Sequence, residues 1–362
     1  MKEKLETYRN NIDRIDSLVL KLLNERAEWA QKVGEAKKEA GDNGPMYRPE
    51  REAQVLRRLQ EENQGPLPDQ TIGFLFREIM SACLALEKTV SVAYLGPEGT
   101  FSQAAALKHF GHAVDSLSCR SIDEVFRQVA SRAVQYAVVP VENSTEGAVN
   151  RTLDLLVDTP LQICGEVFLR IHHNLLATQT DLKKIKRVYS HAQSLGQCHE
   201  WLALHLPYAE KISVLSNAEA AVRAKADADS AAIAGELAAV HYDLNILHAH
   251  IEDEPNNTTR FLVLGEKEAN PSGCDKTSLI LSAKNRPGAM KDLLEPFSEY
   301  DVDMTKLESR PSPSHIGGMW EYIFFIDIEG HHTAQNVAQA LQKLEEQAAF
   351  IKILGSYPKA AF

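Results

Sequence analysis

The sequence contains few cysteines, and none of them form a pair. Its five cysteines are scattered over 362 residues, and no C-x-x-C pair occurs among them. An odd and widely spaced set argues against a disulfide framework, a zinc site and a redox pair. We therefore expect free thiols.

Long apolar runs and an excess of positive charge are also missing. No run approaches the roughly 20 apolar residues that span a bilayer, and residues 1–6 lack the apolar segment of a secretory signal. The net charge of −11 opposes nucleic-acid binding, which needs Lys and Arg to neutralise phosphates. We expect a cytoplasmic protein that binds neither membranes nor nucleic acids.

Cofactor motifs are absent as well. No G-x-G-x-x-G fingerprint for a dinucleotide occurs, and the loop at residues 96–99 lacks the Gly-Lys-Ser/Thr ending of a phosphate cradle. Three histidine pairs have no carboxylate or cysteine at ligand spacing: His109/His112, His172-His173 and His331-His332. The sequence thus predicts no cofactor and no metal.

The length indicates several domains, since one core usually organises about 100 to 200 residues. From Leu5 to Val33 apolar residues recur at a spacing of three and four, which predicts one long helix. At about 1.5 Å per residue, some 36 residues would reach about 55 Å, so we expect its apolar stripe to pack against a second subunit. Pro49 opens a second predicted helix, and Asp69 is expected to cap a third. Residues 1–88 are therefore predicted to form an all-helical domain of a homodimer or a higher oligomer.

The pattern changes at Thr89. Short apolar runs then alternate with helical stretches up to residue 266, which indicates an α/β domain of two lobes. A polar linker precedes a last segment, residues 276–356, whose elements follow the order βαββαβ of the ferredoxin-like fold. The strands predicted for the two-lobed domain, residues 89–266, are 90–95, 136–141, 161–167, 174–177, 187–189, 212–215, 231–234 and 261–264.

Three charged residues lie where the helical pattern expects apolar ones. Arg26 and Lys37 fall in the stripe of the first helix, and Glu87 lies on the inner face of the third. Buried charges are costly unless they are paired. Either the three residues neutralise one another or reach solvent, or they bind a small charged ligand. The second interpretation gains support from further charged residues: Arg9, Arg48, Arg51 and Glu52.

Residues 5–37 and the run Arg48-Pro49-Glu50-Arg51-Glu52 resemble the all-helical class of chorismate mutases. Members of that class are intertwined dimers whose active sites mix residues of both chains. The resemblance implies that Arg26, together with an Arg9 from the other chain, binds the two carboxylates of chorismate. Arg51 would assist them, which suits the bidentate binding of carboxylates by arginine.

The same resemblance assigns the remaining mutase residues. Glu52 would receive the ring hydroxyl, and Lys37 and Glu87 would face the ether oxygen as catalytic residues. Many relatives carry glutamine at the position of Glu87, and a carboxyl group donates a hydrogen bond there only when it is protonated. Arg48 stands where other members carry aspartate; it stays among the expected substrate-binding residues, while hydroxyl recognition rests on Glu52.

Polar clusters accompany several predicted strands, at residues 94–102, 142–147, 190–193 and 257–261. Strand ends bind ligands in open α/β sheets, although each cluster alone also fits helix caps and turns. Together and in this order they resemble prephenate dehydratases, whose fold is like that of two-lobed periplasmic binding proteins. The run Thr-Arg-Phe at 259–261 is the most diagnostic. The resemblance implies Thr259 as the catalytic hydroxyl and the following residues around the substrate: Thr100, Ser102, Asn143, Ser144, Thr145, Glu146, Ser190, His191, Gln193, Arg260 and Phe261.

A proton must reach the departing hydroxyl group of prephenate. Threonine is a weak acid, so Thr259 would donate a hydrogen bond or relay a proton, with Glu146 or His191 as the source. His191 could equally be a capping residue that never contacts the substrate.

In the last segment, Asn285-Arg286-Pro287-Gly288-Ala289-Met290 ends a strand and opens a helix. Spacing alone fits an ordinary turn. With the run 308–311 after the next strand, the segment resembles the ACT domain of this family, which binds phenylalanine between two subunits. Met290 replaces a more usual leucine at conserved volume. The implied L-phenylalanine site comprises Gly288, Ala289, Met290, Glu308, Ser309, Arg310 and Pro311.

Together the resemblances imply a bifunctional enzyme that turns chorismate into prephenate and prephenate into phenylpyruvate, under feedback inhibition by L-phenylalanine. One alternative is a dehydratase acting on arogenate beside a decayed mutase domain. Another is a non-catalytic, amino-acid-responsive regulator. The retained cations and the run 259–261 argue against both, but the choice between prephenate and arogenate stays open.

Overall fold

The computed structural model describes residues 1–41, 44–45, 47–284, 286–312 and 322–360. Its first elements are the helices α1 (Lys2–Glu39), α2 (Pro49–Glu62) and α3 (Asp69–Ala85), so the three predicted helices are confirmed. The predicted cap at Asp69 is wrong. Pro68 holds the N-cap position, and Asp69 Oδ1 instead accepts a hydrogen bond from Asn63 Nδ2 at 2.6 Å. Within the described ranges, no helix is both long and apolar enough to cross a membrane.

Helix α1 extends away from the rest of the chain. Residues 1–25 are all exposed, and Gly34 is the one buried residue of the helix. Large apolar side chains on this free stretch include Leu5, Tyr8, Ile12, Ile15, Val19 and Leu22. Contiguous apolar surface of this extent marks an interaction site on a soluble protein.

The two-lobed domain consists of strands and helices that largely alternate along the chain. Its first part comprises β1 (Val90–Leu95), α4 (Phe101–Phe110), β2 (Val114–Cys119), α5 (Ile122–Ala130), β3 (Tyr136–Asn143), β4 (Gly147–Ala148), α6 (Asn150–Asp158) and β5 (Gln162–Arg170). The second part comprises β6 (Asn174–Ala177), β7 (Arg187–His191), α7 (Ala192–Gln197), α8 (His199–His205), β8 (Glu210–Val214), α9 (Asn217–Ala226), β9 (Ser230–Ala234), α10 (Glu236–His241) and β10 (Asn245–His248). Strand β11 (Thr258–Gly265) then returns to the first part.

Each lobe is built on its own sheet. The first sheet has the order β2-β1-β3-β11-β5, with β4 paired to β3, and the second has the order β10-β6-β9-β7-β8. The chain crosses between the lobes twice, at residues 171–173 and 249–257. Strand β11 runs antiparallel to β3, so its beginning meets the end of β3 and pairs Thr259 with Asn143. All eight predicted strands of this domain are confirmed in position, while the sequence does not predict β2, β4 and β10.

The C-terminal segment has the predicted order βαββαβ. Its elements are β12 (Asp275–Ser282), α11 (Ala289–Glu299), β13 (Met304–Pro311), β14 (Tyr322–Glu329), α12 (Gln335–Gln347) and β15 (Phe350–Pro358). The strands form one antiparallel sheet in the order β13-β14-β12-β15. The ferredoxin-like prediction is confirmed.

This last sheet packs directly on the first lobe. Ile280, Phe325 and Leu354 of the sheet share one buried apolar cluster with residues of that lobe. Gly355 has a φ of 150°, and a Cβ there would lie 2.2 Å from the carbonyl oxygen of Ile163. Strands β15 and β5 therefore approach as closely as only glycine allows.

Candidate active sites

A cavity of about 250 Å³ lies between the helical domain and the first lobe. Four cationic residues of the predicted set line it, together with one acid: Arg26, Lys37, Arg48, Arg51 and Glu52. Apolar side chains such as Val55, Leu84 and Phe110 form the rest of its wall. The fold thus brings together cations that lie up to 25 residues apart in the sequence, from Arg26 to Arg51.

The charges of this first cavity are only partly compensated. Arg26 Nη1 donates to Cys83 Sγ at 3.1 Å. Over the residues that the structure describes, no carboxylate oxygen lies within 4.0 Å of Arg26, Lys37 or Arg51. The interpretation in which Arg26, Lys37 and Glu87 neutralise one another is therefore wrong. Cations beside apolar walls favour an anionic guest.

Glu52 has a partner that the sequence did not suggest. Arg77 Nε donates to Glu52 Oε1 at 3.2 Å, and both side chains are largely buried. Burial raises the pKa of Glu52, while the nearby Arg77 guanidinium opposes that rise. Arg77 lies on α3, and nothing in its helical spacing distinguished it from a solvated arginine.

Glu87 and Arg9 do not line this cavity. Glu87 packs over Gly34 of α1: a Cβ at Gly34 would lie 2.1 Å from Glu87 Oε2. Arg9 is exposed, and 17 residues of helix separate it from Arg26, which corresponds to about 25 Å. An Arg9 side chain therefore cannot reach the cavity of its own chain.

A second cavity, of about 490 Å³, occupies the cleft between the two lobes. Eight of the residues predicted around the substrate line it: Thr100, Ser102, Asn143, Glu146, His191, Gln193, Thr259 and Phe261. They come from the ends of β1, β3 and β7 and from the start of β11, which is where the antiparallel β11 meets the end of β3. His191 is the N-cap residue of α7, but its side chain makes no capping hydrogen bond.

The hydroxyl of Thr259 is held in a defined orientation. Asn143 Nδ2 donates to Thr259 Oγ1 at 2.8 Å. The amide of Asn143 is itself fixed, because its Oδ1 accepts from the backbone N–H of Thr145 and Glu146 and from Thr145 Oγ1. A hydroxyl that accepts one hydrogen bond keeps its own proton for another acceptor. Thr259, which is 9% exposed, thus carries a donor at the cavity wall.

A polar chain that the sequence did not predict supports this pair. Asn143 Nδ2 also donates to Asn257 Oδ1 at 2.8 Å, and Asn257 Nδ2 donates to Gln197 Oε1 at 3.2 Å. Gln197 Oε1 lies 2.8 Å from His173 Nε2, which fixes His173 as the donor. Burial lowers the pKa of His173, so the ring is neutral at pH 7. The chain joins both lobes around the cleft.

Comparison with known proteins agrees with both cavities. Family models match residues 8–88 as chorismate mutase type II, residues 92–269 as prephenate dehydratase and residues 277–346 as an ACT domain. The bifunctional chorismate mutase/prephenate dehydratase of Neisseria gonorrhoeae is 56% identical over 361 residues, which cover 99% of this chain and 98% of that protein. The protein of the same description from Pseudomonas aeruginosa is 54% identical over 364 residues, with 99% and 98% covered.

This chain belongs to the bifunctional chorismate mutase/prephenate dehydratase family. Its dehydratase and ACT domains also resemble a solved structure, that of prephenate dehydratase from Arthrobacter aurescens in complex with L-Phe. That likeness has a TM-score of 0.68 and 33% identity, and it covers 74% of this chain and 90% of the other. The charged residues of the first cavity therefore belong to the chorismate mutase domain, although the first lobe forms part of its wall, and the second cavity lies in the prephenate dehydratase domain.

Four predicted residues of the dehydratase domain do not line its cavity. Ser190 is fully buried, and its hydroxyl forms hydrogen bonds with Asn217 Oδ1 and the Ile233 carbonyl oxygen. Ser144 Oγ accepts from the backbone N–H of Thr258. Thr145 Oγ1 donates to Asn143 Oδ1 and accepts from Gln197 Nε2 at 3.2 Å, so it supports two residues that line the cleft. The fourth residue is Arg260.

The predicted contact of Arg260 with substrate requires correction. Its guanidinium lies in a buried network on the side of β11 that faces the ACT domain. It contacts Glu166 at 2.9 Å, Asp327 at 2.5 Å and the Tyr357 hydroxyl at 3.0 Å. Lys276 completes the network at 2.9 Å from Glu166, so two cations face two carboxylates. Burial, reinforced by Asp327, raises the pKa of Tyr357 well above its usual range, so this phenol stays protonated.

The ACT motif residues lie at the start of α11 and along β13. Gly288 has a φ of 81°, which favours glycine, and precedes Ala289 and Met290 at the start of the helix. On β13, Lys306 lies 3.2 Å from Glu308 and 2.7 Å from Glu142 of the dehydratase domain, and Arg310 lies 2.9 Å from Asp154. Asn285 of the predicted motif lies outside the described residues.

One group of side chains has the composition of a metal site. The ligand atoms of His172, His250 and Glu252 lie within 4.8 Å of one another, at the two crossings between the lobes. His172 Nδ1 is 2.7 Å from Glu252 Oε1, and the other carboxylate oxygen accepts from the His173 backbone N–H at 2.8 Å. These hydrogen bonds account for the positions of His172 and Glu252, and the ring of His250 packs against that of His172 with centroids 4.1 Å apart. No local spacing in the sequence could reveal this arrangement.

Proposed function

We propose that this chain catalyses two consecutive steps of L-phenylalanine synthesis, from chorismate to prephenate and from prephenate to phenylpyruvate, in the cytoplasm. The observation that supports this most is the presence of two separate polar cavities in one chain. One combines several cations, among them Arg26, Lys37 and Arg51, with apolar walls, and the other presents a directed hydroxyl in a cleft. Each suits one of the two reactions.

In the mutase cavity, Arg26 and Arg51 bind carboxylates and Lys37 places positive charge near the ether oxygen. The rearrangement is unimolecular and needs no nucleophile. A site therefore accelerates it by holding the compact conformer and by stabilising charge on the breaking C–O bond. Arg48 and Glu52 lie at the same wall and contribute to binding, with Arg77 holding Glu52 in place. Glu87 would face the ether oxygen only after it turns from its position over Gly34.

The mutase site is completed by a second subunit. The exposed apolar stripe of α1 is the surface on which two chains would pair, and an isologous pairing places each stripe against the other. That pairing brings Arg9 of one subunit into the cavity of the other. The separation of about 25 Å along α1 between Arg9 and Arg26 supports this arrangement, since the two cannot serve one cavity in a single chain.

In the dehydratase cleft, Thr259 donates its proton to the departing hydroxyl group of prephenate. The hydroxyl leaves as water while the ring carboxylate leaves as carbon dioxide, and one proton is consumed. Thr259 must regain its proton from a neighbour. Glu146 and His191 line the same cleft and are the candidate sources. Ser102, Thr100 and Gln193 offer further hydrogen bonds to the substrate.

L-Phenylalanine binds the ACT domain and inhibits the dehydratase step. The run 308–311 lies on β13, where Lys306 bridges Glu308 to Glu142, the residue directly before Asn143. A ligand that shifts β13 therefore acts on the residue that orients Thr259. Couplings of this type are typically about 1 to 3 kcal/mol.

The proposal is tested by following prephenate and phenylpyruvate after chorismate is added to the purified protein. We expect prephenate to rise first and phenylpyruvate to replace it. Prephenate that accumulates without phenylpyruvate would leave the mutase domain as the only catalyst. In a parallel reaction with millimolar L-phenylalanine, we expect prephenate to persist; identical time courses would contradict feedback inhibition.

A further inference from the structure

The substrate proposed for the cleft of the dehydratase domain is a dianion, so the cleft needs a positively charged side chain. Arg260, the expected cation, lies outside the cleft. Prephenate carries two carboxylates, whereas the chain has a net charge of −11. Arg260, the arginine of the diagnostic run 259–261, is occupied by Glu166 and Asp327 on the other side of β11. Another positively charged side chain must therefore bind the prephenate dianion.

Among the described residues that line the cleft, Arg120 is the one lysine or arginine. It follows directly after β2, at the same sheet edge as the loop after β1 and the end of β3. The side chain is exposed within the open cleft. No hydrogen bond or ion pair of its guanidinium occurs within the part of the chain that the structure describes.

The backbone at Arg120 is held firmly. Its N–H donates to Glu124 Oε2 at 2.8 Å, and Ser121 Oγ caps the next helix by accepting from the Glu124 N–H at 3.2 Å. On the other side, Gly96 N donates to the Cys119 carbonyl at 2.8 Å. The guanidinium of Arg120 therefore projects from a fixed backbone position beside the loop at residues 96–99. A loosely anchored surface arginine would lack these constraints.

We propose that Arg120 binds the side-chain carboxylate of prephenate, the one that phenylpyruvate retains. This inference rests on the proposed dehydratase function. The ring carboxylate must lose its charge as its carbon–carbon bond breaks and the electrons enter the ring. A cation on that group would stabilise the reactant more than the transition state and slow the step. The side-chain carboxylate keeps its charge throughout, so Arg120 can bind it without cost to the chemistry.

An interaction with the side-chain carboxylate stabilises the bound substrate, the transition state and the bound product to the same extent. In Arg120→Met, we expect KM for prephenate and the inhibition constant of phenylpyruvate to rise by the same factor, on the order of 10- to 100-fold, because charge-assisted hydrogen bonds are lost. We expect kcat to change less than about threefold, as for any interaction made equally in ground and transition states. Arg120→Lys should restore part of the affinity, since it keeps the charge and loses the bidentate geometry.

The experiment measures both constants for wild type, Arg120→Met and Arg120→Lys. Arg127→Met is the matched control, because Arg127 is an exposed arginine of the adjacent helix that does not line the cleft. Mutase activity in the same preparations reports correct folding. A wild type without dehydratase activity would overturn the proposed function itself. With an active wild type, an unchanged KM in Arg120→Met, or a raised KM with an unchanged phenylpyruvate constant, overturns the assignment of Arg120.

Discussion

Replacing Thr259 by valine is expected to lower phenylpyruvate formation by a factor on the order of 10² to 10⁴, while chorismate is still converted to prephenate. Valine keeps the shape of threonine and removes the hydroxyl that Asn143 orients at 2.8 Å. The variant would leave the departing hydroxyl group of prephenate without a donor. Phenylpyruvate formed from added prephenate is the quantity to measure.

Thr258→Val provides the control for this change. Thr258 is the preceding residue of β11 and donates to the Asn256 carbonyl at 3.3 Å, and it does not line the cleft. Because successive side chains of a strand point to opposite faces, the two variants test the same strand from its two sides. If Thr259→Val kept most of the wild-type rate, the assigned role of Thr259 would be wrong.

The second large effect concerns the buried network between the dehydratase and ACT domains. Arg260→Met would leave Asp327 and Glu166 with Lys276 as the remaining cation in a buried site. Breaking a buried ion pair by removing one partner typically costs about 3 to 5 kcal/mol. We expect a loss of unfolding free energy of this size, measured as a lower urea midpoint.

Arg151→Met is the matched comparison, because Arg151 pairs with Asp123 at the surface, where it is 54% exposed. Solvent screens exposed ion pairs, which contribute little to stability, so the urea midpoint of this variant should hardly change. An Arg260→Met protein as stable as wild type but with a raised KM for prephenate would contradict the structural role. Such a result would support the predicted contact of Arg260 with the substrate.

The sequence is sufficient to predict an element or a site where the residue types and the local apolar pattern indicate the same structure. The stripe from Leu5 to Val33 predicted α1 and its need for a partner surface. The order βαββαβ followed from alternating apolar runs. Thr259 and Asn143 could be placed in one cleft because their clusters lie at strand ends. These features depend on neighbours close in sequence, which is why they were predictable.

The errors have identifiable causes. The resemblance places both Arg260 and Thr259 at the substrate, but adjacent residues of a strand point to opposite faces, so only one of them can face the cleft. The sequence does not indicate Arg120, because the preceding β2 is an edge strand whose residues 115–118 are exposed and it therefore has little apolar pattern. The partners of Glu52 and Gln197 lie far away in sequence, at Arg77 and Asn257. Only the fold brings such residues together.

We expect each mutase site to combine Lys37 of one subunit with Arg9 of the other. Mixed dimers can be purified from cells that make an Arg9→Ala chain and a Lys37→Ala chain with different affinity tags. One of the two sites in such a dimer would be complete and the other doubly defective. Both parent proteins should lack mutase activity, while the mixed dimer should show about half the wild-type rate, given its two-fold symmetry. A mixed dimer as inactive as its parents, or an active Arg9→Ala parent, would contradict a site shared between subunits.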